Sequence, residues 1–357
     1  MRHAPPHGGA RRRPRAVAAL TAGAGLLAGA LLGGCADLRL ETPPPAAPSP
    51  DATEQVRDAT AREAVAVADL ATRASLTAPE GVAIVLGRVA EVCVSHADAL
   101  GGVYAPFPET PGEGTGSATD EAGAGTSPTV TPSAPPPPAD ATAVLSALGE
   151  AADAARSDAD SVRDGDLGRF LASVWVSRVL LAEELGAALA AAGDTAAPPI
   201  PSDPATPAVP GDLPAGVEAT DVLALVRSED AAGMVWEVVA ARSADAARTD
   251  AAARAELHRE RADAWAVSAG VAGGDGDPRR AAYDLPEALT VDGATAEAMV
   301  AVTTDVEAAL GGTYTSLVAR ADAGARSALL DAMLDQVRRG LPPGSPVPGF
   351  PGLPERV

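Results

Sequence analysis

The stretch Phe170-Leu171-Ala172-Ser173-Val174-Trp175 lies within a run from about Asp166 to Ala192 that is the most apolar part of the chain after residue 35. Leu167, Phe170, Leu171, Val174, Trp175, Leu181 and Leu185 put apolar groups nearly all round a helical wheel rather than on one stripe. A helix with no polar face has none to give to water, so it belongs in the middle of a helical assembly.

The neighbouring segments read as helices with a single apolar stripe. Upstream, Asp140 to Arg163 carries Val144, Leu148, Ala152 and Ala155 on one face, and Gly165 breaks it. Before that, Val82, Val85, Val89, Val92, His96 and Ala99 step by three and four until Gly101-Gly102. A first helix begins near Asp51 or Thr53, either of which can cap it, and Thr77-Ala78-Pro79 turns it into the second. Downstream, four more helices are expected at about 218–243, 246–269, 292–320 and 322–339, with a connection at 270–291. Residues 105–138 are rich in Gly, Ser, Thr and Pro and cannot bury enough apolar surface to offset ordering, so a disordered insert is expected. Seven prolines between 193 and 216 mark a linker.

Each half thus repeats one order: helix, short turn, helix, long connection, helix, short turn, helix. A short turn forces antiparallel neighbours, and one long crossover between the second and third helices is the connectivity of ferritin-like bundles. The expected architecture is all-α: a ferritin-like four-helix bundle over 217–345 and a second helical bundle over 52–192 that contains the insert. An extended tail at 346–357 closes the chain.

The amino terminus carries an address. Arg2, Arg11, Arg12, Arg13 and Arg15 precede an apolar run from Ala16 to Leu32, and Leu31-Leu32-Gly33-Gly34-Cys35 reads as a lipobox. Residues 1–34 are then a lipoprotein signal peptide, Cys35 is the lipidated residue, and 35–51 is a proline-rich tether. Two or three acyl chains on Cys35 would hold stably where one holds only marginally. The expected partner there is membrane lipid, at the extracytoplasmic face of the cell membrane.

Composition narrows the function classes. Without the signal the chain keeps 22 basic residues against 48 acidic ones, a net charge of −26, and it has no lysine. Nucleic acid and anionic lipid surfaces both call for basic protein surface, so neither is an expected partner of the folded part. With Cys35 acylated, Cys93 is the other cysteine of the two and has no intrachain partner, so no disulfide framework is expected.

Leu225-Val226-Arg227-Ser228-Glu229 and Leu257-His258-Arg259-Glu260-Arg261-Ala262-Asp263-Ala264 resemble a ferritin-like domain of unknown function. Val306-Glu307, Tyr314 and Phe350-Pro351-Gly352 fit the same pattern, which spans about residues 218–352. That family consists largely of exported actinobacterial proteins, many of them lipoproteins. The resemblance implies a fold and a compartment and no established activity. In that family a histidine often follows the glutamate of the first helix, whereas this chain has Asp230 there.

A ferritin-like fold raises the prospect of a carboxylate-bridged metal centre, which uses a Glu on each of two helices and a Glu-x-x-His on each of the other two. Glu229 and Glu307 sit at apolar-face positions, but His258 follows Ala255 at the third position and His96 follows Cys93. The chain has no Glu-x-x-His, so the expected arrangement is a buried polar cluster in which His258 partners Glu229 and Glu307. Cys93 and His96, one turn apart, read as core, and Gly273-Gly274-Asp275-Gly276-Asp277-Pro278 lacks the spacing of a calcium loop. No nucleophile elbow, P-loop or dinucleotide fingerprint is present. The expected role is a lipid-anchored binding or scaffold protein with an unknown envelope protein or ligand as partner, and with no catalytic residues, metal or cofactor. The alternative is a degenerate ferritin-like metal-binding protein or oxidoreductase.

Overall fold

A computed structural model describes residues 49–106, 139–194, 208–290, 294–342 and 344–356. Cys35 with its signal, the tether up to residue 48, nearly all of the insert at 105–138, and 195–207 of the linker lie outside the described residues. The described chain is all-helical: α1 (Ala52–Ser75), α2 (Glu80–Ala99), α3 (Ala141–Ser161), α4 (Gly165–Ala191), α5 (Ala219–Arg242), α6 (Asp245–Ser268), the short α7 (Glu287–Thr290), α8 (Ala296–Arg320) and α9 (Ser327–Arg339), with a 3₁₀ turn at Pro354–Arg356.

Five of the helices begin where side chains can satisfy free backbone N–H groups. Asp51 accepts from Glu54 N at 2.8 Å, Asp140 from Ala143 N at 2.7 Å and Asp164 from Leu167 N at 3.0 Å. Thr295 does the same for Ala298 N at 3.2 Å, and Glu218 and Asp221 form a reciprocal capping box on α5. Two boundaries differ from the periodicity reading. The connection after α6 contains α7, whose four residues are too few to show a period. The final helix starts at Ser327 rather than near 322, because residues 322–326 form a turn with Gly324 at φ +82°.

α1 pairs with α2 and α3 with α4, and α1–α3 and α2–α4 contacts close the first group. α5 pairs with α6 and α8 with α9, and α5 packs on α8 to form the C-terminal bundle. The centre is α4, as its all-round apolarity demands: it touches α2, α3, α8 and α9. One hydrophobic cluster consequently runs from Ala64 and Leu86 through Leu171, Val174 and Leu181 to Leu225, Leu310 and Leu329. The junction is close because α4 begins with glycine. A Cβ on Gly165 would lie 2.2 Å from the Ala319 carbonyl oxygen at the end of α8.

Two buried arginines tie the layers. Arg178 on α4 donates to Ala151 O at 2.7 Å and Thr60 O at 3.1 Å, linking α3 and α1. Arg326, in the turn before α9, donates to Ala159 O and Val162 O, both at 2.7 Å, at the end of α3.

The tail does not dangle. His96 Nε2 lies 2.7 Å from Gly349 O, Ser177 donates to Pro348 O at 3.0 Å, and Ser173 donates to Pro351 O at 2.8 Å. Phe350 sits 5.3 Å from the His96 ring and 5.5 Å from Phe170, with the Arg356 guanidinium over both phenyl rings. Gly352 closes against α8 with φ +77°, where a Cβ would meet Thr315 Oγ1 at 2.3 Å.

Candidate functional site

Within the C-terminal bundle, Arg254, His258 and Arg261 recur on α6 at steps of four and three, so they share one inward stripe. Facing them are Glu229 on α5, Glu307 and Tyr314 on α8, and Asp335 and Gln336 on α9. All are buried, and Glu229, His258, Glu307, Tyr314 and Gln336 have no exposed surface.

The three residues of the expected cluster meet. His258 Nδ1 lies 2.6 Å from Glu229 Oε2, and Nε2 lies 3.1 Å from Glu307 Oε1. Ionised carboxylates only accept, so a ring bonded to both donates from both nitrogens, which makes it an imidazolium. Burial alone would lower the His258 pKa, but the hydrogen bonds and charges of Glu229 and Glu307 outweigh it and raise the value above 6.5.

The arginines complete the charge balance. Arg254 grips Glu307 with Nε and Nη2 and reaches Asp335 Oδ2 with Nη1 at 3.1 Å and Gln336 Oε1 with Nη2 at 3.0 Å. Arg261 Nη2 donates to Asp335 Oδ2 at 2.7 Å. Burial works against the Glu307 charge, yet His258 and Arg254 hold its carboxyl down at about 2. Asp335 is likewise held at about 2 against burial, by Arg254 and Arg261. Three acidic side chains thus face Arg254, Arg261 and His258, and Arg339 Nε adds a further cation 3.1 Å from Asp335 Oδ1.

Neutral donors add to these bonds. Tyr314 OH donates to Glu229 Oε1 at 2.6 Å and accepts from Trp265 Nε1 at 3.1 Å. Trp236 Nε1 donates to Glu307 Oε1 at 3.1 Å. Glu307 therefore has donors on both oxygens, three on Oε1 and one on Oε2. The loose end is Arg261, whose Nε and Nη1 are buried without a partner among the described residues. Among those residues, no group of three or more His, Cys, Asp or Glu side chains is arranged to hold a metal ion.

A second knot lies nearby. Asp230 accepts from Tyr283 OH at 2.6 Å, from Arg280 N at 3.2 Å and from Arg259. It fastens the loop after α6 to α5. Burial and the Asp230 carboxylate together push the Tyr283 phenol up to about 12.

The other sequence candidates resolve as structure. The Cys93 thiol is buried and pushed up to about 11 by burial, so it is protonated at neutral pH. Burial and then the nearby Arg178 charge lower the His96 pKa to about 3, leaving a neutral ring committed to the tail. Asp277 accepts Gly273 N at 2.8 Å and is clasped by Arg279, so the 273–278 segment is a self-held turn.

Sequence reasoning singled out Glu229, His258 and Glu307 and missed Arg254, Arg261, Asp335 and Gln336. The available signal was the stripe itself: Arg254 and Arg261 fall on the helical face defined by His258 and Trp265. Trp236 on α5 and Tyr314 on α8 also join the network through polar ends to which the sequence reading gave no role.

Searches of curated proteins and of solved structures gave no match. Residues 222–355, which carry the whole polar network and most of the tail, match the family described as a domain of unknown function (DUF4439). The chain therefore contains a DUF4439 domain, built on α5 to α9 and closed by the tail, behind an N-terminal helical layer that lies outside the match.

Proposed function

We propose that this is a lipid-anchored, extracytoplasmic binding or scaffold protein of the cell envelope, with a ferritin-like C-terminal bundle whose centre has been converted from a site into a structural knot. The observation that carries the reading is the bidentate clasp of Arg254 on Glu307. In a carboxylate-bridged metal bundle the inward carboxylates face a cation that the protein must recruit. Here the cations are covalently part of the chain, and both oxygens of Glu307 already accept from Arg254. The anchoring half of the reading rests on Leu31 to Cys35 and the basic segment before it. No described helix is long and apolar enough to cross a membrane, which is compatible with attachment through an acylated cysteine.

The convergence of Glu229, His258 and Glu307 favours a second reading, a degenerate metal-binding or oxidoreductase centre. Metal analysis of the purified full-length protein separates the two. The expected result is no stoichiometric iron, manganese or zinc and no rise in melting temperature when each is added, since a bound metal would stabilise by mass action. Stoichiometric metal that disappears in His258→Ala would establish the second reading. For anchorage, incorporation of an alkyne fatty acid should be lost in Cys35→Ala, and unchanged labelling would remove that part of the proposal.

A further inference from the structure

The tail from Val347 to Arg356 is bound in the manner of a peptide ligand. Pro348 and Pro351 have no N–H, so this stretch presents mainly backbone acceptors. The helices beneath it present donors: His96 Nε2, Ser173 Oγ and Ser177 Oγ reach the carbonyls of Gly349, Pro351 and Pro348. Ser173 and Ser177 are one turn apart on α4 and His96 projects from α2, so rigid elements whose own backbone bonds are complete hold all three donors. An aromatic slot formed by Phe170 and His96 receives Phe350. Donors spaced along an aromatic-lined groove are how proline-rich extended segments are recognised in general.

The tail is also placed so that it can leave. It follows a Gly- and Pro-rich connection after α9 and carries no α-helix of its own. A groove of about 740 Å³ opens along it, between Pro351 and Leu353 on one side and Ala308 and Gly312 on the other. The receptor residues His96, Phe170, Ser173 and Ser177 lie outside the matched domain, while residues 347–355 lie inside it.

We propose that α2 and α4 form a peptide-binding groove selective for an extended proline–glycine segment with a central phenylalanine, and that the chain's own tail is its removable occupant. The occupant class is fixed by the segment seated there, Pro348-Gly349-Phe350-Pro351-Gly352. The inference stands on this geometry and is independent of the anchoring reading.

The test uses the full-length chain with a site-specific protease sequence inserted between Gly344 and Ser345. After cleavage, the tail is held by non-covalent contacts alone. A fluorescent synthetic peptide of residues 345–357 is then added and its anisotropy followed. Exchange into the nicked protein should be saturable and competed by unlabelled peptide. A Phe350→Ala peptide should bind at least about tenfold more weakly, since a central aromatic anchor dominates such contacts. The nicked Ser173→Ala/Ser177→Ala protein should also bind the unmodified peptide more weakly. Three outcomes overturn the proposal: a nicked chain that loses its helical signal, one that keeps it but takes up no peptide, and one whose tail a hundredfold peptide excess cannot exchange. In the first the groove is not preformed, in the second it is not a receptor, and in the third the tail is a fixed element.

Discussion

Arg254 holds Glu307 through both carboxylate oxygens, Nε to Oε1 at 2.7 Å and Nη2 to Oε2 at 2.5 Å. The pair is buried, so its geometry has a large cost if one member is removed and a modest one if both are replaced. Arg254→Met leaves Glu307 and Asp335 short of positive charge and should destabilise by about 3–5 kcal/mol. Arg261→Met removes one bond to Asp335 from a side chain already poorly satisfied and should cost clearly less. Urea unfolding of the two variants decides this; equal losses would show that the two arginines carry the network jointly.

Acid and base should weaken the network for opposite reasons. The folded pKa of His258 is raised above 6.5, so its contribution is fully present below pH 6.5 and is lost as pH rises through the folded value. Glu307 and Asp335 are depressed to about 2 from 4.5 and 3.8, so their contributions are fully present above those values and are lost as pH falls toward about 2. Unfolding free energy should therefore be greatest between about pH 4.5 and 6.5. His258→Gln should flatten the alkaline side and shrink the acid side only in part, because Arg254 still holds Glu307 and Asp335 down. A variant that retains the wild-type alkaline decline would show that another group causes it.

Tyr314→Phe removes one hydroxyl that serves two partners. Glu229 loses a 2.6 Å donor and Trp265 Nε1 loses its acceptor, both in the buried core. A loss of about 1–3 kcal/mol is expected, the usual penalty for stranded buried polar groups. Thermal unfolding measures it, and a change below experimental error would mean that water replaces the hydroxyl.

Asp230→Asn should act on a loop rather than on the core. The Tyr283 phenol, held up at about 12 by burial and then by Asp230, should move down toward 10 when the carboxylate charge is removed. Ultraviolet titration reads this directly. Limited proteolysis should also cut faster between 270 and 286, because the anchors at Tyr283 OH and Arg280 N weaken.

Local periodicity carried most of the secondary structure and placed α4 at the centre, because a helix with no polar face has one possible environment. It also located Glu229, His258 and Glu307, since a carboxylate on an apolar stripe needs a partner. Arg254 and Arg261 escaped because arginine in an alanine-rich helix ordinarily reaches water, and only the facing helices show that these two do not. The α7 turn was too short to have a period. The docking of the tail was invisible for another reason: Gly349 bonds a residue 253 positions away, and no local pattern encodes such a contact.

Arg326 has a consequence for how the chain is made. The carbonyls at the end of α3 receive their donors from a side chain 164 and 167 residues later in sequence. When α3 leaves the ribosome, its last turn is unfinished, and it stays so until α8 has been synthesised. A fragment ending in the linker would expose those carbonyls together with the apolar side of α4. A fragment starting at α5 would strip from Arg326 its acceptors on α3 and its cover at Gly168 of α4. The boundary of the matched domain thus does not coincide with a boundary of folding, and a stable recombinant product should begin before α1 and run through the tail.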